Sequence, residues 1–401
     1  MLSDALDLVG VDDVFHGKRV AYMARTAGVV LGLDAAGLDD LLHAGLFHDC
    51  GVSTTREHSV IVAGLDSKDD EAHCLRGEVL VASFQPLAHL ASVVRWHHTD
   101  AVDLELIDLP DRTRLLANMV FLADRVDVML FNSPEEDLLL ARVPILEMVR
   151  QQRGIRFRAD IMDAFLAAAS NEAFWLTLEP RALGLYIGHL ARNLANREMS
   201  VTELRQLAFV FATIVDAKSP FTAEHSWRVA SVARRLAAAA QLDDERQGLV
   251  EVAALLHDIG KLRVPDHILE KPGTLNGPER MRITRHAFDT WQILSRIDGF
   301  EEMAQWAAYH HEWVCGGGYP FGISGKGLVR EARLVAVADV FQALRQDRPY
   351  RGRMSVDTAL GIVDSMVSQG KLDADVVSLL HLDIIGCEAA ATGTQEPFLG
   401  M

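Results

Sequence analysis

The chain is short of cysteine, of positive charge, of long apolar runs and of strand-like alternation, and each shortage removes a class of protein. Four cysteines in 401 residues (Cys50, Cys74, Cys315, Cys387) form no C-x-x-C pair and no disulfide framework, which fits a reducing compartment. Asp and Glu outnumber Lys and Arg by 56 to 39, a net charge of −17, so broad binding to nucleic acid or to an anionic membrane is not expected. A small anionic ligand stays open, because bound divalent ions reverse the field inside a pocket. Charges interrupt every apolar run before the roughly 18 residues that a membrane span needs. The first residues carry Asp4 and Asp7 and no basic region, unlike a signal peptide. The expectation is a soluble cytoplasmic protein without membrane insertion.

What is present reads as helix. Leu204–Val215, Val229–Ala240 and Leu249–His257 carry Ala, Leu and Val at i, i+3, i+4 spacing, which predicts an all-α fold. Ser133-Pro134-Glu135 and Ser200-x-x-Glu203 look like helix starts, and Gly260 looks like a stop. The strand-like run Arg333–Val337 reads as the start of a buried helix. Predicted boundaries are 1–130 for a first domain, 131–198 for a helical linker or packing region, 199–385 for a second domain and 386–401 for a weakly ordered tail. With no Gly/Ser-rich or Pro-rich tether between them, the halves are expected to pack together.

The strongest signal is a set of metal-ligand residue types that occurs twice in one order. The first copy is His16, His48-Asp49, His73, His97-His98 and Asp124; the second is His225, His257-Asp258, His286, His310-His311 and Asp339. First His to His-Asp pair spans 32 residues in both copies, and middle His to His-His pair spans 24 in both. Neither interval is a helical period, so amphipathic patterning does not generate the coincidence, and duplication of a metal-binding unit does. Scattered core histidines are the competing explanation, but they would not fall into two ordered sets each closed by an aspartate. Imidazole plus carboxylate suits iron, manganese, nickel or zinc better than magnesium or calcium. Seven donors exceed what one catalytic ion uses, whereas two ions sharing a bridging carboxylate would use them all. Such a pair clamps a phosphoryl oxygen and activates water, so phosphoester hydrolysis is the leading chemistry.

Longer words surround the second copy: His257-Asp258-Ile259-Gly260-Lys261, His310-His311-Glu312 with Gly318-Tyr319-Pro320, and Ala338-Asp339-Val340-Phe341 with Asp347-Arg348-Pro349-Tyr350-Arg351. In these words, from Asp216 to Arg351, the chain resembles the HD-GYP family of bacterial cyclic dinucleotide phosphodiesterases. The resemblance implies an HD-superfamily helical fold, here as tandem domains, and hydrolysis of cyclic di-GMP to pGpG or GMP through a hydroxide activated by two metals, with iron or manganese favoured. By position it implies that His225, His257, Asp258 and Asp339 hold one ion. Asp258 would bridge to a second ion held by His286, His310 and His311. Lys261 would act with Asp258 in catalysis and contact the scissile phosphate, and Gly318, Tyr319 and Pro320 would shape the substrate pocket. A homodimer or a signalling-protein partner is compatible with such a role.

The chain departs from the family at several positions. Cys315 stands where an Asp is expected, and Gln342 replaces the Asp three residues after the ligand Asp339. Phe221 occupies the place of an extra carboxylate that some members use for a third metal. The first copy keeps its ligand types (His16, His48, Asp49, His73, His97, His98, Asp124) but has Val52 in the place of Lys261 and no Gly-Tyr-Pro. It resembles a diverged HD domain that carries further metal in a regulatory or structural role, or that cleaves a different phosphoester. Asp12, one turn before His16, reads as a solvated acid before it reads as a ligand. Two other functions remain open for the chain: a cyclic dinucleotide sensor with little turnover, and a hydrolase of cyclic GMP-AMP, since no single residue reads guanine against adenine.

Overall fold

A computed structural model of the chain describes residues 3–6, 8, 15–63, 71–193, 198–219, 224–347 and 352–393. Among the described residues every regular element is helical and no strand is formed, apart from one isolated bridge between Arg153 and Phe157. Asp12, Phe221 and the segment Arg348 to Arg351 lie outside the described residues. The chain folds as two compact units, Leu6–Glu198 and Met199–Met401 together with Met1–Ala5.

The N-terminal unit is framed by α1 (His16–Leu31), α2 (Ala35–Phe47), α3 (Glu71–Ala82), α4 (Ala91–Arg95), α5 (Asp111–Phe131), α6 (Leu138–Arg150), α7 (Ala159–Ala168) and α8 (Pro180–Asn193). Helix α1 is central and packs on α2, α5 and α7. Its Ala-rich face (Val20, Ala21, Met23, Ala24) is fully buried, because small side chains let neighbouring axes approach. Gly45 of α2 makes that approach explicit: a Cβ there would lie 2.5 Å from Ala21 Cα.

The C-terminal unit is framed by α9 (Val201–Asp216), α10 (His225–Ala239), α11 (Asp244–Leu256), α12 (Gly277–Leu294), α13 (Glu301–Ala308), α14 (Arg330–Leu344), α15 (Val356–Ser368), α16 (Ala374–Leu382) and α17 (Ile384–Thr392). Helix α10 packs on α11, α14 and α17. Ser200 and Glu203 form the expected capping box, and Arg333–Val337 lies within α14.

The two units repeat local devices as well as ligands. Helix α1 ends at Gly32 (φ 83°) and α10 just before Gln241 (φ 59°); two residues later Asp34 caps α2 and Asp243 caps α11 through their side chains. A left-handed residue followed by an aspartate N-cap makes a tight reversal, so both ligand-bearing helix pairs are antiparallel hairpins.

Three expectations change. The described part of 131–198 packs rather than links: α7 and α8 lie on α1, and Tyr22 meets Phe174 and Tyr186 at ring distances of 5.6 and 4.8 Å. Ser133 accepts from the Glu135 N–H in a turn, while the helix itself starts at Leu138 under an Asp137 cap. Asp137 wins because its carboxylate reaches two free N–H groups at once. The tail is ordered through Thr392, since α17 buries Cys387 and Ala391 and packs on α10; residues 394–401 lie outside the described residues.

Candidate metal centre

All seven donors of the second copy converge, and each sits where a helix begins, ends or turns inward. His225 is the first residue of α10 and His257 follows the last residue of α11. His286 lies inside α12, His310-His311 follow the end of α13, and Asp339 lies inside α14. They form three overlapping groups: His225, His257 and Asp339; His257, Asp258 and His310; His286, His310 and His311.

Asp258 stands at the join and divides its two oxygens. Oδ2 lies 3.2 Å from His257 Nε2 and 3.7 Å from His225 Nε2. Oδ1 faces the other way, 3.3 Å from His286 Nε2 and 4.0 Å from His310 Nε2. An oxygen and a nitrogen bound to one ion at about 2.0–2.1 Å in tetrahedral geometry stand about 3.4 Å apart, so each oxygen has the spacing of a separate ion. His257 Nε2 and Asp258 Oδ1 are buried without any hydrogen-bond partner among the described residues. Such groups are costly unless something polar meets them, and a divalent cation fits this donor set.

The imidazoles are aimed by the backbone. Nδ1 of His257, His286 and His310 donates to the carbonyl three residues earlier, Ala254, Ile283 and Ala307, at 2.5–2.6 Å, which leaves each Nε2 as the inward donor. His225 Nδ1 is held instead by Gln342 Oε1 at 2.6 Å. The replacement of an acid by Gln342 therefore keeps the acceptor oxygen and loses only its charge. Burial pushes His286 down to about 3 and His311 down to about 4, so both are neutral at physiological pH, the form that can bind a metal ion. Burial also opposes charge on His257, but the Asp258 carboxylate outweighs it and raises His257 to about 9. Asp258 would be raised by burial, yet His257 and Lys261 hold it well below the usual carboxylate range. Lys261 donates to Asp258 Oδ2 at 2.5 Å and is partly exposed where Asp258 is buried.

Gly260 does not stop a helix, because the chain continues as a 3-10 turn, Ile259–Arg263. Its need for glycine is contact: a Cβ would stand 2.1 Å from the His286 carbonyl oxygen. The loop after His311 is pinned by Glu312, which is buried and accepts the N–H groups of Phe321, Gly322 and Ile323 at 2.6, 3.1 and 3.0 Å. Gly318 fits only without a side chain, because a Cβ there would stand 2.4–2.5 Å from the backbone of His311, Glu312 and Trp313, and Tyr319 lies against His311 at a ring distance of 4.7 Å. Cys315 is exposed, with its N–H on the Gly370 carbonyl, as a filler of the turn. The anchoring by Glu312 was not read from sequence, although its place directly after the His pair is the signal.

The N-terminal set converges in the same pattern. Asp49 Oδ2 lies 3.6 and 3.4 Å from His16 and His48, and Oδ1 lies 3.5 and 3.6 Å from His73 and His97. Gly51 meets the His73 carbonyl as Gly260 meets that of His286. Asp127 holds His16 Nδ1 at 2.7 Å and is itself gripped by Arg19. Besides Asp127, two side chains here escaped sequence reasoning. Cys74 joins His73, His97 and His98, and the buried Arg125 donates to Asp124 Oδ2 at 2.7 and 3.0 Å.

Residues 210–376 match the HD domain family. The chain is 35% identical to 3′3′-cGAMP-specific phosphodiesterase 1 of Vibrio cholerae over 388 residues, 94% of this chain and 89% of that one. It is 41% identical to the cyclic di-GMP phosphodiesterase response regulator RpfG of Xanthomonas campestris over 135 residues, 33% of this chain and 36% of that one. A crystal structure of a cyclic GMP-AMP specific phosphodiesterase of V. cholerae matches with a TM-score of 0.64 at 24% identity, over 96% of each chain, a likeness of fold. Among the described residues no helix is long and apolar enough to cross a membrane.

Proposed function

Because the chain belongs to the HD-domain phosphodiesterases of the HD-GYP type, we propose that its C-terminal unit hydrolyses a cyclic dinucleotide and that 3′3′-cGAMP is the preferred substrate. The observation that supports catalysis is the division of the Asp258 oxygens between two histidine groups, which suits two ions and a bridging carboxylate. His225, His257, Asp258 and Asp339 would hold one ion, and His286, His310 and His311 with Asp258 the other. When bound, the ions supply Lewis acidity to the phosphoryl oxygens and lower the pKa of water.

The remaining work falls to the chain. Lys261 brings a positive charge to the scissile phosphate, where charge builds in the transition state. Carbonyl bonds to Nδ1 fix three imidazoles in one tautomer, and Gln342 does so for His225. Glu312 holds the Gly318-Tyr319-Pro320 loop so that Tyr319 forms a wall beside His311. Gln342 and Cys315 motivate the sensor reading, but neither position removes a donor from the centre.

The sequence words placed cyclic di-GMP first. The substrate preference moves to 3′3′-cGAMP because the likeness to a relative named for it runs through both units, whereas the likeness to RpfG stops within a third of the chain. The test is hydrolysis of 3′3′-cGAMP, cyclic di-GMP and cyclic di-AMP by anaerobically prepared, iron- or manganese-loaded full-length protein, with products separated by chromatography. The expected kcat/KM favours 3′3′-cGAMP by about tenfold or more, as polar readout of a base allows. A preference for cyclic di-GMP overturns the substrate assignment, and binding of all three without turnover overturns the enzyme.

A further inference from the structure

The two centres share a layout but differ at one inward position. The residue after the middle histidine is Cys74 in the N-terminal unit and Ala287 in the C-terminal unit, both buried. Cys74 Sγ lies 3.5 Å from His73 Nε2 and within one cluster with His97 and His98. A thiolate at about 2.3 Å and an imidazole at about 2.0–2.1 Å on one tetrahedral zinc ion stand about 3.6 Å apart, so the observed spacing is that of two ligands on a shared ion. Asp49 Oδ1 and His97 Nε2 are buried there without a hydrogen-bond partner among the described residues.

From this we propose that the N-terminal unit is a closed zinc-class site in which Cys74 is a ligand together with His73, His97 and His98. A soft thiolate shifts metal choice away from the harder ions that suit an all-imidazole and carboxylate centre. With Asp49 Oδ1, 3.5 and 3.6 Å from His73 and His97, these ligands leave no position open, which is the mark of a structural site, whereas a catalytic ion keeps one open. At the C-terminal centre Asp258 Oδ1 joins His286, His310 and His311, and Ala287 adds no fifth donor, so a five- or six-coordinate ion keeps a position free there. Two further differences agree with a site that does no chemistry on phosphate. Val52 replaces Lys261, and Arg125 engages an oxygen of Asp124 that the corresponding Asp339, followed by Val340, does not share with a guanidinium. The inference does not depend on which dinucleotide the C-terminal unit cleaves.

Cobalt(II) reports the thiolate directly, through near-ultraviolet sulfur-to-metal charge transfer. Among the described residues, the three metal-ligand groups of the C-terminal unit contain no cysteine, so the band reads the N-terminal site. Full-length protein stripped by chelation and reloaded with cobalt is expected to show it, and the His257→Ala/Asp258→Ala variant is expected to keep it with about one cobalt per chain. Cys74→Ser should abolish the band, while Cys50→Ser, a substitution at the neighbouring buried thiol, should leave it. Cobalt bound by the His257→Ala/Asp258→Ala variant with no band, or no cobalt bound by it, overturns the proposal. So does a band that survives in Cys74→Ser. The wild-type spectrum decides the matter even where a variant fails to fold.

Discussion

The side chain at Gln342 shows how a single position can be misjudged from its type. By type it is a lost carboxylate; by geometry it is the acceptor that sets the His225 tautomer, one helical turn from Asp339. Asp127 does the same for His16, so the +3 spacing after each ligand aspartate is the sequence signal. Gln342→Ala should weaken metal binding about 10- to 100-fold with secondary structure unchanged, and Gln342→Asp should restore or exceed it, both read by metal titration. Lys261→Ala should behave differently: metal content stays, while kcat falls by about 10² to 10³. Asp258→Ala should lose metal and turnover together. Equal metal loss in the Lys261 and Asp258 variants would contradict the separate roles given to charge and bridge.

Between elements, the centre depends on how closely the turn after α11 approaches α12. Gly260 is the contact, and its amide N–H also donates to Thr290 Oγ1 at 3.1 Å while the Thr290 hydroxyl donates to the His257 carbonyl. This ties the His-Asp turn to the helix that carries His286. Gly260→Ala has no room beside the His286 carbonyl and should cost about 3 kcal/mol or more, the size of a backbone-forcing overpacked site. Thermal unfolding should show the loss, and metal content should fall with it. The hairpin ends test the same idea without touching a ligand. Gln241 sits at φ 59° where its counterpart Gly32 is free of strain, so Gln241→Gly should stabilise by about 0.5–1 kcal/mol and Gly32→Gln should destabilise by a similar amount.

For the molecule as a whole, a bound metal would compete with the proton for the raised buried imidazoles. His257 rises from an ordinary 6.5 to about 9 because Asp258 favours its charged form, and His16 and His97 are raised as well. A raised histidine stabilises the fold fully below pH 6.5, and that contribution is lost as pH climbs through about 9. Chelator-treated protein should therefore lose stability across this window, by at most about 3 kcal/mol from His257. Metal-loaded protein should stay level, because the ion displaces the proton, and metal binding at pH 7–8 should release protons measurable by calorimetry in buffers of different ionisation enthalpy. A decline of equal slope with and without metal would count against His257 as a ligand.

The sequence by itself determined that the fold is helical and that two sets of seven donors exist, since apolar periodicity and the paired 32- and 24-residue intervals are properties of the linear chain. It also determined the capping box at Ser200 and the helix through Arg333–Val337, because both are local. Only the tertiary structure decided which oxygen of Asp258 faces which histidine, that Gly260 is a contact point, that α7 and α8 pack on α1, and that the tail through Thr392 is a packed helix. It alone brought Cys74 to His97 and His98, and it turned Gln342 from a loss into a support. Those outcomes depend on distances between segments remote in sequence, and a spacing along the chain carries no information about such distances until the helices have packed.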